Sequence, residues 1–377
     1  MSLEAVLAET AAANPIPGYV AAVVQDGEVV AEAASGEGMG QSTVFRIFSM
    51  TKAITTAAAM QLVERGKADL DAPASAYAPE LAAVKVLAGF DDSGDPILRE
   101  PARPVTLRDL LLHRSGFAYT MWNADLTRYM AWLTARGEAA NINPYLDMPL
   151  VFDPGEMWEY GIGIDWAGRL VERISGQGLD AVFAENITGP LGMADTGFDA
   201  TPSMAERLAD MYLRTPDGAL MAMPRNAPSS GGFFSGGGGL LSTSADYLTF
   251  LTAMAGDGSA RSGRILKPET VAQMAHCDGG APKVRALASH APMLTNDLDI
   301  WGEHEARWSL GFLVNPMAGP HGRPAGSLAW AGLANTYYWI DRDRRLAGVF
   351  MTQLMPFADK SALAVFNALE REAYKLS

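Results

Sequence analysis

The chain has 377 residues, is 49% hydrophobic and carries a formal net charge of −14 at pH 7, with an isoelectric point near 4.8. That length and apolar content can build a large core, as one large domain or two intimate ones. The acidic balance, with no basic stripe, argues against nucleic-acid binding. One cysteine, Cys277, excludes a disulfide within the chain and a cysteine-based zinc site.

The N-terminal stretch carries Glu4 and Glu9 and does not read as a signal peptide. No run is long and apolar enough for a bilayer. The expectation is therefore a soluble, cytoplasmic protein with no membrane partner; the oligomeric state is left open. From about Gly18 to Ala34, two apolar runs flank Asp26-Gly27, a hairpin signal. The run from Ser49 to Arg65 lacks Pro and Gly and is apolar nearly all round, as a buried helix is. At its head, Ser49 and Lys52 stand three apart, so one helical turn points both the same way. Burial would push the Lys52 amine down, toward a useful base beside a hydroxyl nucleophile. Residues 85–100 read as a hairpin-like insertion. Helical periods follow at Leu107–Leu112, Ala124–Ala135, Ile164–Ile174, Leu179–Ile187, Ala245–Ala255 and Lys267–Ala275. Thr243 and Asp246 form a weak capping box, and the glycine-rich segment 229–239 reads as a flexible or closely packed loop. Strands are predicted at 307–314, 326–332, 336–341 and 345–353, and a last helix from Lys360 to Tyr374.

This layout is α+β: an antiparallel sheet built from both chain ends, flanked by helices, with a mostly helical region inserted. The predicted division is a discontinuous domain of residues 1–78 and 228–377, carrying Ser49, Lys52 and Trp330, and a helical domain of residues 79–227. The helical domain supplies Tyr160, set between Pro154-Gly155 and Gly161-x-Gly163. Near an ammonium its pKa is expected to fall, making it a general base. On the C-terminal sheet, Trp330-Ala331-Gly332 places a glycine in a strand, a mark of close approach by another backbone. The Leu333 N–H and the Ser49 N–H would then form a two-donor oxyanion hole. Tyr119 is a further candidate for the cleft. The histidines His113, His276, His290, His304 and His321 show no metal-binding spacing. His113 reads as a hydrogen-bonded structural residue and His304 as a surface one. No metal or cofactor is expected.

Taken together, Ser49-x-x-Lys52, Tyr160 and Trp330-Ala331-Gly332 resemble the motifs of the serine β-lactamase and penicillin-binding-protein superfamily. The resemblance is closest to class C β-lactamases and family VIII carboxylesterases, and segments 107–117, 190–198, 236–251 and 339–353 extend it over nearly the whole chain. It implies an acyl-enzyme on Ser49, with Lys52 and Tyr160 handling protons. Two departures matter. Ile162 stands where a lactamase of this kind has an asparagine, and Trp330 where it has a lysine. Both exchanges replace polar anchors by apolar wall, so Ile162, Trp330 and Gly332 would shape a pocket for neutral esters. The resemblance therefore favours a carboxylesterase acting on small or short-chain esters, with weak β-lactam hydrolysis as a side activity. Rival readings are an acyltransferase using the same residues, a D-amino-acid peptidase and, remotely, a non-catalytic binding module.

Overall fold

The computed structural model describes residues 1–224, 226, 229–277, 281–299 and 305–376. Its centre is a seven-stranded antiparallel sheet. The strands are β1 (Tyr19–Gln25), β2 (Glu28–Ser35), β3 (Arg307–Trp308), β4 (Leu313–Val314), β5 (Leu328–Gly332), β6 (Thr336–Asp341) and β7 (Leu346–Met351). They lie in the order β3-β4-β5-β6-β7-β1-β2, so the two ends of the chain meet at the β7–β1 pair, where Val20 faces Met351. The fold is of the α+β type expected.

The sheet is covered on both faces, which is why β6 and β7 are buried at every position. Adjacent residues of a strand point to opposite faces, and β6 shows it directly. Tyr337 stacks on Phe366 of the C-terminal helix Lys360–Leu376, at 4.8 Å between ring centres. Tyr338 turns the other way and meets Tyr247, at 5.4 Å, on the helix Ser244–Ala255. That helix starts as the sequence indicates: Thr243 accepts the Asp246 N–H. The Asp246 carboxylate, however, accepts from Asp195 N–H and the Thr196 hydroxyl.

The helix Thr51–Glu64 is buried along nearly its whole length. Its polar side chains are tolerated there because they find partners. The Thr51 hydroxyl accepts from Leu240 N–H, Thr55 donates to the Gly236 carbonyl, and Gln61 donates to the Asn186 and Ile265 carbonyls. The helix packs against Gly163–Ser175 of the inserted region.

Two expectations are corrected in detail. The predicted strand 307–314 is two short strands, broken by a turn at Ser309–Phe312. The helix at 179–187 is α-helical only over Leu179–Phe183 and continues as a π turn through Thr188. The N-terminal residues Leu3–Ala13, read only for a leader, form a helix that packs on the last one. The expected domain boundary at 227/228 lies outside the described residues, and residues assigned to the helical region are tied to the sheet side. Tyr212–Arg214 pairs with Leu354–Met355, and Leu208 bridges Val44. No helix among the described residues is long and apolar enough to cross a membrane.

Candidate active site

Ser49 sits on a single 3-10 turn, Phe48–Met50, that runs directly into the buried helix. Phe48 has a positive φ of 42°, a conformation that costs energy for a residue with a side chain. It is anchored by packing against Met211, Leu213, Ala334 and Met355. Lys52 follows one turn later and is completely buried. Its Nζ lies 3.1 Å from Ser49 Oγ, 3.0 Å from the Tyr119 hydroxyl and 2.7 Å from the Gly237 carbonyl oxygen. Burial pulls the amine down to about 7, opposed by the charge of Asp165.

Tyr160 comes from the inserted region through the extended segment before the helix Gly163–Ser175. Two glycines let it approach. A side chain at Gly161 would meet the Phe117 carbonyl at 2.3 Å, and one at Gly163 the Leu110 carbonyl at 2.9 Å. The phenol accepts the Trp330 indole N–H over 2.9 Å and shares a cleft with Ser49. Here the expectation of a lowered pKa is corrected. Burial raises the Tyr160 hydroxyl, and the bonds to Ser49 and Trp330 only moderate the rise. Burial thus holds the Tyr160 hydroxyl protonated, and the Lys52 amine is the more easily deprotonated of the two.

Trp330 is corrected as well. It is not simply apolar wall, because its N–H holds the Tyr160 oxygen. Its neighbour Gly332 meets the close approach anticipated for it: a methyl group there would lie 2.3 Å from the Ile47 carbonyl oxygen. That contact brings the end of β5 against the turn carrying Ser49. Ser49, Gly332 and Leu333 consequently line one narrow cleft with Trp122, Tyr160, Trp330, Ala331 and Phe357. The space between them is about 10 Å³, the room of a single water. Neither the Ser49 N–H nor the Leu333 N–H has an acceptor among the described residues.

Ile162 lies elsewhere than expected. It is buried in the core at the start of the helix Gly163–Ser175 and does not line this cleft. Tyr119 is close to the nucleophile, but as a partner of Lys52. Its hydroxyl also donates to Asp165 Oδ2 over 3.4 Å, and burial raises its pKa well above the usual value. His113 is buried against Tyr160 and Trp308, each at 4.9 Å between ring centres, but neither ring nitrogen has a hydrogen-bond partner among the described residues. Burial holds it neutral, well below the usual imidazole range. His304 lies outside the described residues. Among the described residues no cluster of His, Cys, Asp and Glu is arranged to hold a metal.

Sequence reasoning missed Asp165 and the part of the glycine-rich loop that holds it. The Asp165 carboxylate is buried and accepts from Ser235 Oγ (2.5 Å) and Gly237 N–H (2.9 Å). Burial raises its pKa, while Lys52, Ser235, Gly237 and Tyr119 oppose the rise. The end of the loop, Gly236 to Gly239, is closely packed, since a side chain at Gly237 would strike Asp165 Oδ2 at 2.2 Å, whereas Gly231 and Gly232 are exposed with nothing within 4 Å. The available signal was an acid in the apolar run GIGIDWAG, five residues after Tyr160, which reads as an ordinary helix-start residue.

The beta-lactamase family model matches residues 3–371. The chain belongs to that family. Over 347 residues it is 32% identical to the acyltransferase calJ of Penicillium decumbens, covering 88% of this chain and 81% of that one. Over 352 residues it is 34% identical to the lovastatin esterase of Penicillium rubens, covering 88% of this chain and 85% of that one. Among solved structures, unliganded simvastatin synthase (LovD) from Aspergillus terreus superimposes with a TM-score of 0.83 at 29% identity, covering 99% of this chain and 97% of that one. The fold is that of serine β-lactamases and penicillin-binding proteins.

Proposed function

We propose that this protein moves an acyl group from an ester to an alcohol through an acyl-enzyme on Ser49, with water as a competing acceptor. The observation that carries the reading is a nucleophile held between a base and an acid, in a family whose similar members include both an acyltransferase and an esterase. The sequence alone put hydrolysis first. The relatives and the cleft favour transfer. Around Ser49 the walls are Trp122, Trp330, Ala331, Leu333 and Phe357. An apolar alcohol gains by burying its surface against them. None of these walls carries a charge, which suits a neutral acyl group.

In the proposed mechanism, Lys52 accepts the Ser49 proton as Oγ attacks the ester carbonyl. The Ser49 and Leu333 N–H groups receive the oxyanion. Tyr160, held by Trp330, gives its proton to the leaving alkoxide, and the Lys52 ammonium restores it. The acceptor alcohol then attacks the acyl-enzyme by the reverse sequence, its proton returning through the same two groups.

The test is partition of the acyl-enzyme. With an aryl butyrate as donor, added apolar alcohols should yield the new ester at the expense of butyrate, and Ser49→Ala should abolish both products. If butyrate is the sole product at every alcohol concentration, transfer is wrong and the protein is a hydrolase.

A further inference from the structure

Asp165 has no task in the mechanism above, yet the site is built closely around its carboxylate. Lys52 Nζ has acceptors or donors in three directions: Ser49 Oγ, the Tyr119 hydroxyl and the Gly237 carbonyl. A neutral primary amine carries two hydrogens and one lone pair. The Gly237 carbonyl can only accept, so it takes one hydrogen. The second hydrogen and the lone pair are left for Ser49 and Tyr119. Lys52 is a base toward Ser49 only when the lone pair faces Ser49, which requires Tyr119 to accept from Lys52. The Tyr119 proton must then point elsewhere. A carboxylate, which only accepts, stands in that direction: Tyr119 OH to Asp165 Oδ2 is 3.4 Å.

We propose that Asp165 is a positioning residue that sets the direction of this hydrogen-bond chain: by accepting from Tyr119 it keeps the Lys52 lone pair on Ser49. The inference rests on the acyl-transfer reading. The chain closes on itself through the glycine-rich loop, since Gly237 donates its N–H to Asp165 and accepts from Lys52 at its carbonyl. Ser235 fixes the same carboxylate oxygen as Gly237. Besides each other, Lys52 and Asp165 are faced by Tyr119, Tyr160, Tyr145 and His113. Burial keeps the three tyrosines and the histidine neutral. The groups left to carry charge in this cluster are Lys52 and Asp165.

The decisive variant is Asp165→Asn. Its carbonyl retains the bonds from Ser235 and Gly237, and its amide donates to Tyr119. Tyr119 then turns its proton onto the Lys52 lone pair. Single-turnover acylation of Ser49 by an aryl ester should fall about a hundredfold, the scale of a lost general base. Adding Tyr119→Phe removes the misdirected proton, and the double variant should acylate at least about tenfold faster than Asp165→Asn alone. The acid limb of the pH profile should also move to lower pH, because the charge that holds the Lys52 amine up is gone. Acylation of Asp165→Asn at the parent rate, or a double variant no faster than the single one, overturns the proposal; the second outcome would mark a merely structural carboxylate. A parent protein that forms no acyl-enzyme sinks the acyl-transfer reading and this inference with it.

Discussion

Replacing Gly332 by alanine tests the oxyanion hole with one methyl group. Gly332 does not have a positive φ, so alanine meets no backbone strain of its own. The obstacle is space. The methyl carbon would lie 2.3 Å from the Ile47 carbonyl oxygen and 2.3 Å from Thr336 Oγ1, where contacts under 3.0 Å are essentially never seen. Thr336 can rotate away, but Ile47 presents backbone. The end of β5 must therefore retreat from the Ser49 turn by about 0.7 Å or more. Leu333, the next residue, moves with it, and a misplacement on the order of 1 Å costs about a hundredfold in rate. Loss of one oxyanion donor lies in the same range, about 10²–10³. The expected result is a fall of about a hundredfold in burst-phase acylation by an aryl butyrate, with a destabilisation of about 1–3 kcal/mol from overpacking. Gly40→Ala, where nothing lies within 4 Å, is the control. A folded Gly332→Ala protein that acylates within about threefold of the parent would refute the placement of Leu333 in the oxyanion hole.

Two further predictions concern the proton-handling groups. Because burial pulls Lys52 down to about 7 against the charge of Asp165, the base is protonated and idle below that pH. kcat/KM should then rise with pH through about 7 and level off above it, and Lys52→Arg, whose guanidinium stays charged, should be inactive throughout; a flat profile between about pH 5.5 and 8.5 would remove Lys52 as the base. Trp330→Phe deletes the N–H that reaches the Tyr160 oxygen over 2.9 Å in a buried setting. An unmade buried bond costs about 1–3 kcal/mol, so kcat should fall by between about fivefold and a hundredfold. A change confined to KM would instead return Trp330 to the role of pocket wall.

Local pattern revealed the parts of this molecule whose physics is local. The Asp26-Gly27 hairpin, the apolar run of β6 and β7, and the helix behind Ser49 all follow from periodicity and turn chemistry within a few residues. The spacing of Ser49 and Lys52 survives the change from an α turn to a 3-10 turn, because both bring residues three apart to one side. Asp165 was hidden because its meaning depends on the residues facing it. Only the fold brings Ser235, Gly237, Tyr119 and Lys52 around a carboxylate that otherwise looks like a helix-start acid. Tyr160 shows a different difficulty. Sequence reasoning allowed Lys52 to be buried, and so a poor holder of charge, while also using its charge to lower Tyr160. The two cannot both hold near neutral pH. The desolvation that turns Lys52 into a base also weakens the cation that would have drawn a proton from Tyr160, and the same desolvation raises the phenol directly. What remains to favour phenolate at the moment of reaction is the Trp330 N–H. It is a neutral dipole, so it suits a group that releases its proton transiently and takes it back.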